Sequence, residues 1–213
     1  MQTVRRGFHG DGTRCICDDP VKLCERKILF KRCADEIDTG EVIQQVRVPI
    51  ADTDNVELVH DKLMMLGGKL VLETVDAILD GTVKPIPQEE MAVVGELRPA
   101  PKIFKDTCRI DWNQPVKKVY DFIRGLSPYP AAWSELVTSE NETVVVKIFE
   151  TEKMYESHQL SAGAVVTDGK KYIKVAVPDG FVSVHHAGSA IKKRLKTDEL
   201  LRGFRLSDGY KMN

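Results

Sequence analysis

The chain has 213 residues, 42% of them apolar and 30% charged, the proportions of a folded globular protein rather than a disordered or fibrous one. Its net charge is -1, so no global field steers a polyanion toward it, and any nucleic-acid binding must come from local clusters. No apolar run approaches the ~20 residues that cross a bilayer, and the opening MQTVRRGFHGDGTRCICDD lacks the apolar stretch of a secretory signal, which makes the cytoplasm the expected location with no membrane partner.

Residues 1–33 show no sustained periodicity and concentrate Arg, Cys, Gly and Asp, the pattern of a poorly packed leader. Cys15, Cys17, Cys24 and Cys33 fall here, with Cys108 as the fifth cysteine. An odd total without a signal argues against a disulfide framework. Thiolates are good zinc ligands, but the spacings lack paired two-residue knuckles, so incidental reduced thiols are the preferred reading and no metal is expected.

From Asp35 the texture changes. EVIQQVRVPI reads as a strand ending at Pro49, and DTDN supplies helix caps. Val56, Val59, Leu63, Leu66 and Leu70 recur at steps of three and four, which predicts a helix with one apolar stripe. Val75, Ile78 and Leu79 extend it and Gly81 ends it, while Gly67-Gly68 calls for close packing or a break. Pro85, Pro87, Pro99 and Pro101 make residues 82–106 an extended linker. A second helix follows, capped by Asn113, with Pro115 in its first turn, a stripe of Val116, Val119, Tyr120 and Ile123, and a stop at Gly125. The prolines of IRGLSPYPAAW then force an extended chain, with Tyr129 and Trp133 covering the junction.

Beyond this corner the period becomes two. TVVVKIFE alternates Val144, Val146 and Ile148, Asp168-Gly169 marks a hairpin, PDG at 178–180 marks another turn, and TDELLRGF from Thr197 reads as a short capped helix. Several short strands with a small helix predict a compact antiparallel barrel, and the whole chain is α+β. HHAGSAI at 185–191 interrupts the apolar pattern. His185 and His186 suggest a metal pair, but neighbours on a strand point to opposite faces and the local sequence offers no carboxylate companion.

RIDWNQPVKKVYDFIRGLSPYPAAW resembles the segment that opens the C-terminal domain of methionyl-tRNA formyltransferases, where Ile-Asp-Trp precedes a helix ending in an Ile-Arg-Gly and Pro-aromatic-Pro corner. EIDTGEVIQQVRVPI resembles that family's Asp-Thr-Gly loop and the strand after it, DKLMMLGGKLVLETVDAILDGTVKPIPQ the helix that closes the catalytic domain, and KKRLKTDELLRGFRLSDG the C-terminal end. The resemblance implies four regions: the leader at 1–33, a strand–helix remnant of a Rossmann-like catalytic domain at 34–81, the linker at 82–106, and an OB-like barrel at 107–213. It implies 10-formyltetrahydrofolate as formyl donor and methionyl initiator tRNA as partner. It places Asp38 at the family's catalytic Asp, with Asp35 a weaker candidate. The family's His-Pro-Ser-Leu-Leu stretch and the Asn upstream of it have no counterpart here, and His9 and His60 do not replace them. The chain therefore reads as the C-terminal two-thirds of a formyltransferase behind an unrelated leader, without turnover alone; the leader and HHAGSAI both fit reading-frame errors in the gene.

Two basic clusters complete the expectations. Lys102, Lys105 and Arg109 match positions that face the tRNA acceptor arm in the family, and Lys117 extends them if it is more than helix surface. Lys192, Lys193, Arg194, Lys196, Arg202 and Arg205 form the second cluster. Trp112 and Trp133 are assigned to the core rather than to base stacking, and Asp111 to a cap or an ion pair with Arg109 or Arg124. The competing readings are a tRNA-binding module without chemistry and an N-formyltransferase acting on a sugar amine. With its sheet incomplete, the helix over residues 56–80 leaves apolar surface that favours self-association.

Overall fold

A computed structural model of the chain describes residues 25–31, 41–90, 102–138, 141–189, 194–203 and 209–213. They fall into two compact units, one within Pro20–Pro101 and one within Lys102–Asn213. Among the described residues no helix is long and apolar enough to cross a membrane.

In the first unit, strand β1 (Glu25–Lys31) pairs antiparallel with β2 (Val42–Pro49). Helix α1 (Val56–Leu79) starts where expected, because the Asn55 side-chain oxygen accepts from the Leu58 N–H at 2.9 Å. Val48 and Leu70 form its small core, with Val46, Leu63 and Leu66 packed on them. Asp80 caps the end and Gly81 takes the left-handed φ of +67°. The helix runs unbroken through Gly67-Gly68, and at Gly68 no neighbour comes close, since a methyl group there would meet nothing within 4 Å. Val75 and Ile78, expected to prolong the buried stripe, are exposed instead. Ile86, in the proline-rich segment, exchanges two backbone hydrogen bonds with Val42.

The second unit begins with a short 3-10 turn at Asp106–Cys108 and helix α2 (Val116–Leu126). Three of the four stripe residues of α2 are buried as their spacing predicts, Val116 and Ile123 fully and Val119 nearly so, each such side chain worth about 1.5–3 kcal/mol of burial, while Tyr120 is only half-buried. Its start differs from expectation. Asn113 makes no cap to α2; the Val116 N–H donates instead to the Asp179 carboxylate at 2.7 Å, from a turn 63 residues away. Nor does Gly125 end the helix, which runs on to Leu126. Tyr129, expected to cover the corner, is 83% exposed.

The strands β3 (Ala132–Val137), β4 (Thr143–Met154), β5 (Val165–Thr167), β6 (Ile173–Val177), β7 (Gly180–Ser189), β8 (Leu195–Lys196) and β9 (Lys211–Met212) follow, with helix α3 (Thr197–Gly203) between the last two. Their order is β5-β6-β7-β4-β3-β9, all neighbours antiparallel, with β8 beside β7. The expected barrel is nearly closed: the Val165 N–H donates to the Tyr210 carbonyl at 3.0 Å and the Met212 N–H to the Gly163 carbonyl at 2.8 Å, which joins the two ends of the sheet. Gly163 has φ +84°, and a Cβ there would collide with the Met212 carbonyl, so the seam needs glycine. One core runs from Cys108 and Trp112 through α2 to Ile148, Val175, Val182 and Met212. The short helix departs from simple capping, because the Thr197 hydroxyl donates to the Val184 carbonyl of β7.

Candidate nucleic-acid interface

All described candidate cations lie in the barrel unit. Alternation along β4 turns Val146 and Ile148 into the core and leaves Lys147 and Phe149 half-buried on the outer face. On β3 the same alternation buries Ala132, Ser134 and Leu136 and places Trp133 and Glu135 outside. Register then sets Trp133 directly opposite Lys147.

The first cluster gathers on this face. The Arg109 guanidinium lies 5.5 Å from the Trp133 ring centroid and the Lys105 ammonium 5.9 Å from it. The Trp133 indole N–H donates to the Lys105 carbonyl at 2.7 Å, and the Ile110 N–H to the Trp133 carbonyl at 2.9 Å, so the 3-10 turn is strapped to β3. Lys102 sits 5.5 Å from the ring of Phe104, which is exposed. Arg109 also pairs with Glu135 at 2.7 Å, a partly exposed contact of about 0–1 kcal/mol that a phosphate can displace. Buried between these residues, Cys108 donates to the Phe104 carbonyl, and burial pushes its thiol pKa up against the opposing pull of Thr107 and Lys147.

The second cluster is only partly described. Lys192, Lys193 and Arg205 lie outside the described residues, as does Asp38. Arg194 lies 5.6 Å from the Phe149 ring centroid and pairs with Glu150 at 3.2 Å. Lys196 is exposed on β8, opposite His186 of β7. Arg202 is tied to Asp198 at 2.6 Å along α3, and this hydrogen bond is the main cause holding the Asp198 carboxyl below its usual range. Lys117 pairs with buried Asp121 at 2.6 Å, beside Arg124 at 2.7 Å from the same carboxylate, which makes it a partner in a helix network rather than an extension of the first cluster.

Trp112 is buried as expected, its indole N–H donating to Ser134 at 2.9 Å. Trp133 departs from its assignment: half-buried, it touches the core with part of its surface and carries cations with the rest. Asp111 caps a turn, accepting from Gln114 and Asn113, and these bonds, Gln114 first, hold its pKa down. Neither Arg109 nor Arg124 pairs with it; they pair with Glu135 and Asp121. Lys147 and Phe149 are not among the site residues expected from sequence, although the alternation of TVVVKIFE already sets them apart from Val146 and Ile148.

The histidine pair also differs from expectation. β7 carries on as a strand through residues 185–189, and two register shifts against β4 leave His185 and Phe149 without direct partners in the ladder. Carboxylates lie close after all: His186 is 2.7 Å from Glu150, and His185 is 3.3 Å from Glu152. Among the described residues no three His, Cys, Asp or Glu side chains converge as metal ligands would.

Residues 102–205 match the family model described as the formyl transferase, C-terminal domain. A methionyl-tRNA formyltransferase of Bacteroides thetaiotaomicron is 85% identical over 178 residues, which cover 84% of this chain and 55% of that protein. One from Porphyromonas gingivalis is 37% identical over 185 residues, covering 86% of this chain and 57% of its own length. The chain thus spans about half the length of the curated relatives it matches. Among solved structures, HypX from Aquifex aeolicus in complex with tetrahydrofolic acid superposes with a TM-score of 0.59 at 20% identity, over 82% of this chain and 29% of that one, a likeness of fold.

Proposed function

We propose, from the premise that this chain belongs to the methionyl-tRNA formyltransferase family, that it supplies the tRNA-holding part of an enzyme moving a formyl group from 10-formyltetrahydrofolate to methionyl initiator tRNA. The extent of its likeness to relatives of that name carries the reading. The outer face of β3 and β4, with Lys102, Lys105, Arg109, Lys147 and Arg194, supports it as a surface suited to phosphate. Lys192, Lys193, Lys196, Arg202 and Arg205 belong to the same proposal.

In the reaction, the neutral α-amine attacks the formyl carbon and a tetrahedral oxyanion forms. The amine gives up a proton, the bond from carbon to the folate nitrogen breaks as that nitrogen takes up a proton in turn, and formylmethionyl-tRNA and tetrahydrofolate leave. The oxyanion needs hydrogen-bond donors and the amine needs a proton acceptor. Asp38 is the residue of this sequence proposed for that machinery, orienting or charging a neighbouring group.

The test measures two things on the purified chain. Binding of charged initiator tRNA is expected to be salt-sensitive and to weaken when Lys192, Lys193 and Arg194 are changed to Glu. Formylation with 10-formyltetrahydrofolate is expected to be absent from this chain alone. Robust turnover would overturn the second expectation; salt-independent binding, or none, would overturn the first.

A further inference from the structure

Arg109 and Arg194 are built into the barrel in the same way. Each lies over an aromatic ring of a barrel strand, and each is tied to a carboxylate on that strand: Arg109 to Trp133 and Glu135 on β3, Arg194 to Phe149 and Glu150 on β4. The two residues that carry the rings lie near each other on the sheet. Trp133 pairs across to Lys147, and Phe149 follows two residues along β4, a diagonal of about 7–8 Å between backbones. Lys147 stands between them, and Lys105 shares the Trp133 ring.

Aromatic rings on an RNA-binding barrel are ordinarily read as platforms on which bases stack. Here both rings already carry cations, and both are half-buried. A base stacking on the cation-bearing face of either ring would have to displace a guanidinium or ammonium group held there by the ring's π-electrons. We infer that Trp133 and Phe149 are positioning residues that hold Arg109 and Arg194, on either side of Lys147, as a row for the sugar-phosphate backbone of one RNA strand, read without regard to base. This deepens the tRNA-holding role proposed above and rests on it.

A mount and a platform weaken binding differently when removed. A cation that no longer neutralises a phosphate no longer releases counterions, so the cost is largest at low salt and fades as salt rises. A base that no longer stacks costs the same at every salt concentration. The experiment measures binding of a fluorescein-labelled tRNA transcript by anisotropy, from about 50 mM to about 1 M salt, for the full chain and for W133L, F149L, R109Q and R194Q. Each variant is expected to bind about tenfold more weakly near 50 mM salt, converging on the parent near 1 M, with the log–log salt slope shallower by about 0.7–0.9 for each phosphate left without its cation. The Arg→Gln variants keep both rings, so they carry the test should W133L disturb the fold; thermal melts identify that case. A ring variant whose affinity falls by the same factor at all salt concentrations makes the rings platforms and overturns the inference. So does unchanged binding in R109Q and R194Q. A parent chain that binds no tRNA at any salt concentration fails the tRNA-holding reading itself, an outcome distinct from those two.

Discussion

The two units of this chain solve the burial problem to different degrees. In the barrel unit, part of a central strand is covered on both faces: β7 buries Phe181, Val182, Ser183 and Val184 in succession, and α2 sinks Val116, Val119 and Ile123 into the barrel core. In the strand–helix unit, α1 buries Val59, Leu70 and Thr74 on one side while Leu58, Met65, Leu72 and Leu79 stay exposed on the other. Those four recur every seven residues, which makes a second apolar stripe on the opposite side of the helix. A helix that is apolar on two opposite sides suits a middle layer, and here only one layer is described against it. The barrel therefore carries the chain's cooperative stability, and the strand–helix unit contributes little of its own.

The largest test of this contrast is Asp121→Ala. Its carboxylate, 4% exposed, pairs with Arg124, 8% exposed, and removing one partner of a buried pair costs about 3–5 kcal/mol. Urea unfolding of the barrel should show that loss; a change below about 1 kcal/mol would mean that Arg124 finds other compensation. Next comes Ile148→Ala, which empties a fully buried site at the centre of β4 and should cost about 2–5 kcal/mol. The third test pairs two caps. Asp179→Ala in the barrel and Asn55→Ala on α1 each free one helix-start N–H, at about 0.5–2 kcal/mol. Asp179 also fastens the turn between β6 and β7 to α2, so its loss should be the larger and should shift the barrel's own transition. Equal losses from the two caps would remove that distinction.

How much of this was legible depended on how far apart the interacting residues lie in sequence. The α1 and α2 stripes, the hairpin at Asp168-Gly169 and the inward row of β4 are local patterns, and periodicity reveals them. At Asp168 even the detail is local, since its carboxylate accepts from the N–H groups of Lys170, Lys171 and Tyr172, led by Lys171, and is held below its usual range by them. The cap on α2 was not legible, because Asp179 arrives from the far end of the barrel and nothing near Val116 announces it. The cation row was half legible. Lys102, Lys105, Arg109 and Arg194 stand out as charges, but their mounts depend on a register that pairs Trp133 with Lys147 and on a bulge that leaves Phe149 unpaired. Register and bulges are set by packing across strands, and a single strand's sequence does not carry them.

The smallest expected effect bears most directly on the strand–helix unit. Leu72 is 68% exposed in the middle of the second stripe of α1. Surface substitutions away from special features change stability by about 0.5 kcal/mol or less, and Leu72→Gln should fall in that range by urea unfolding at low protein concentration. The same exposed stripe underlies the expectation of self-association, because contiguous apolar surface of this kind gains by being covered. Sedimentation across a range of concentrations should therefore show the parent chain growing in mass while Leu72→Gln, and more so Leu72→Gln with Leu79→Gln, stays small. A parent that remains monomeric removes self-association. A single Leu72→Gln change that costs several kcal/mol at low concentration would mean that this face is packed within the chain, and the two units would then no longer differ as argued.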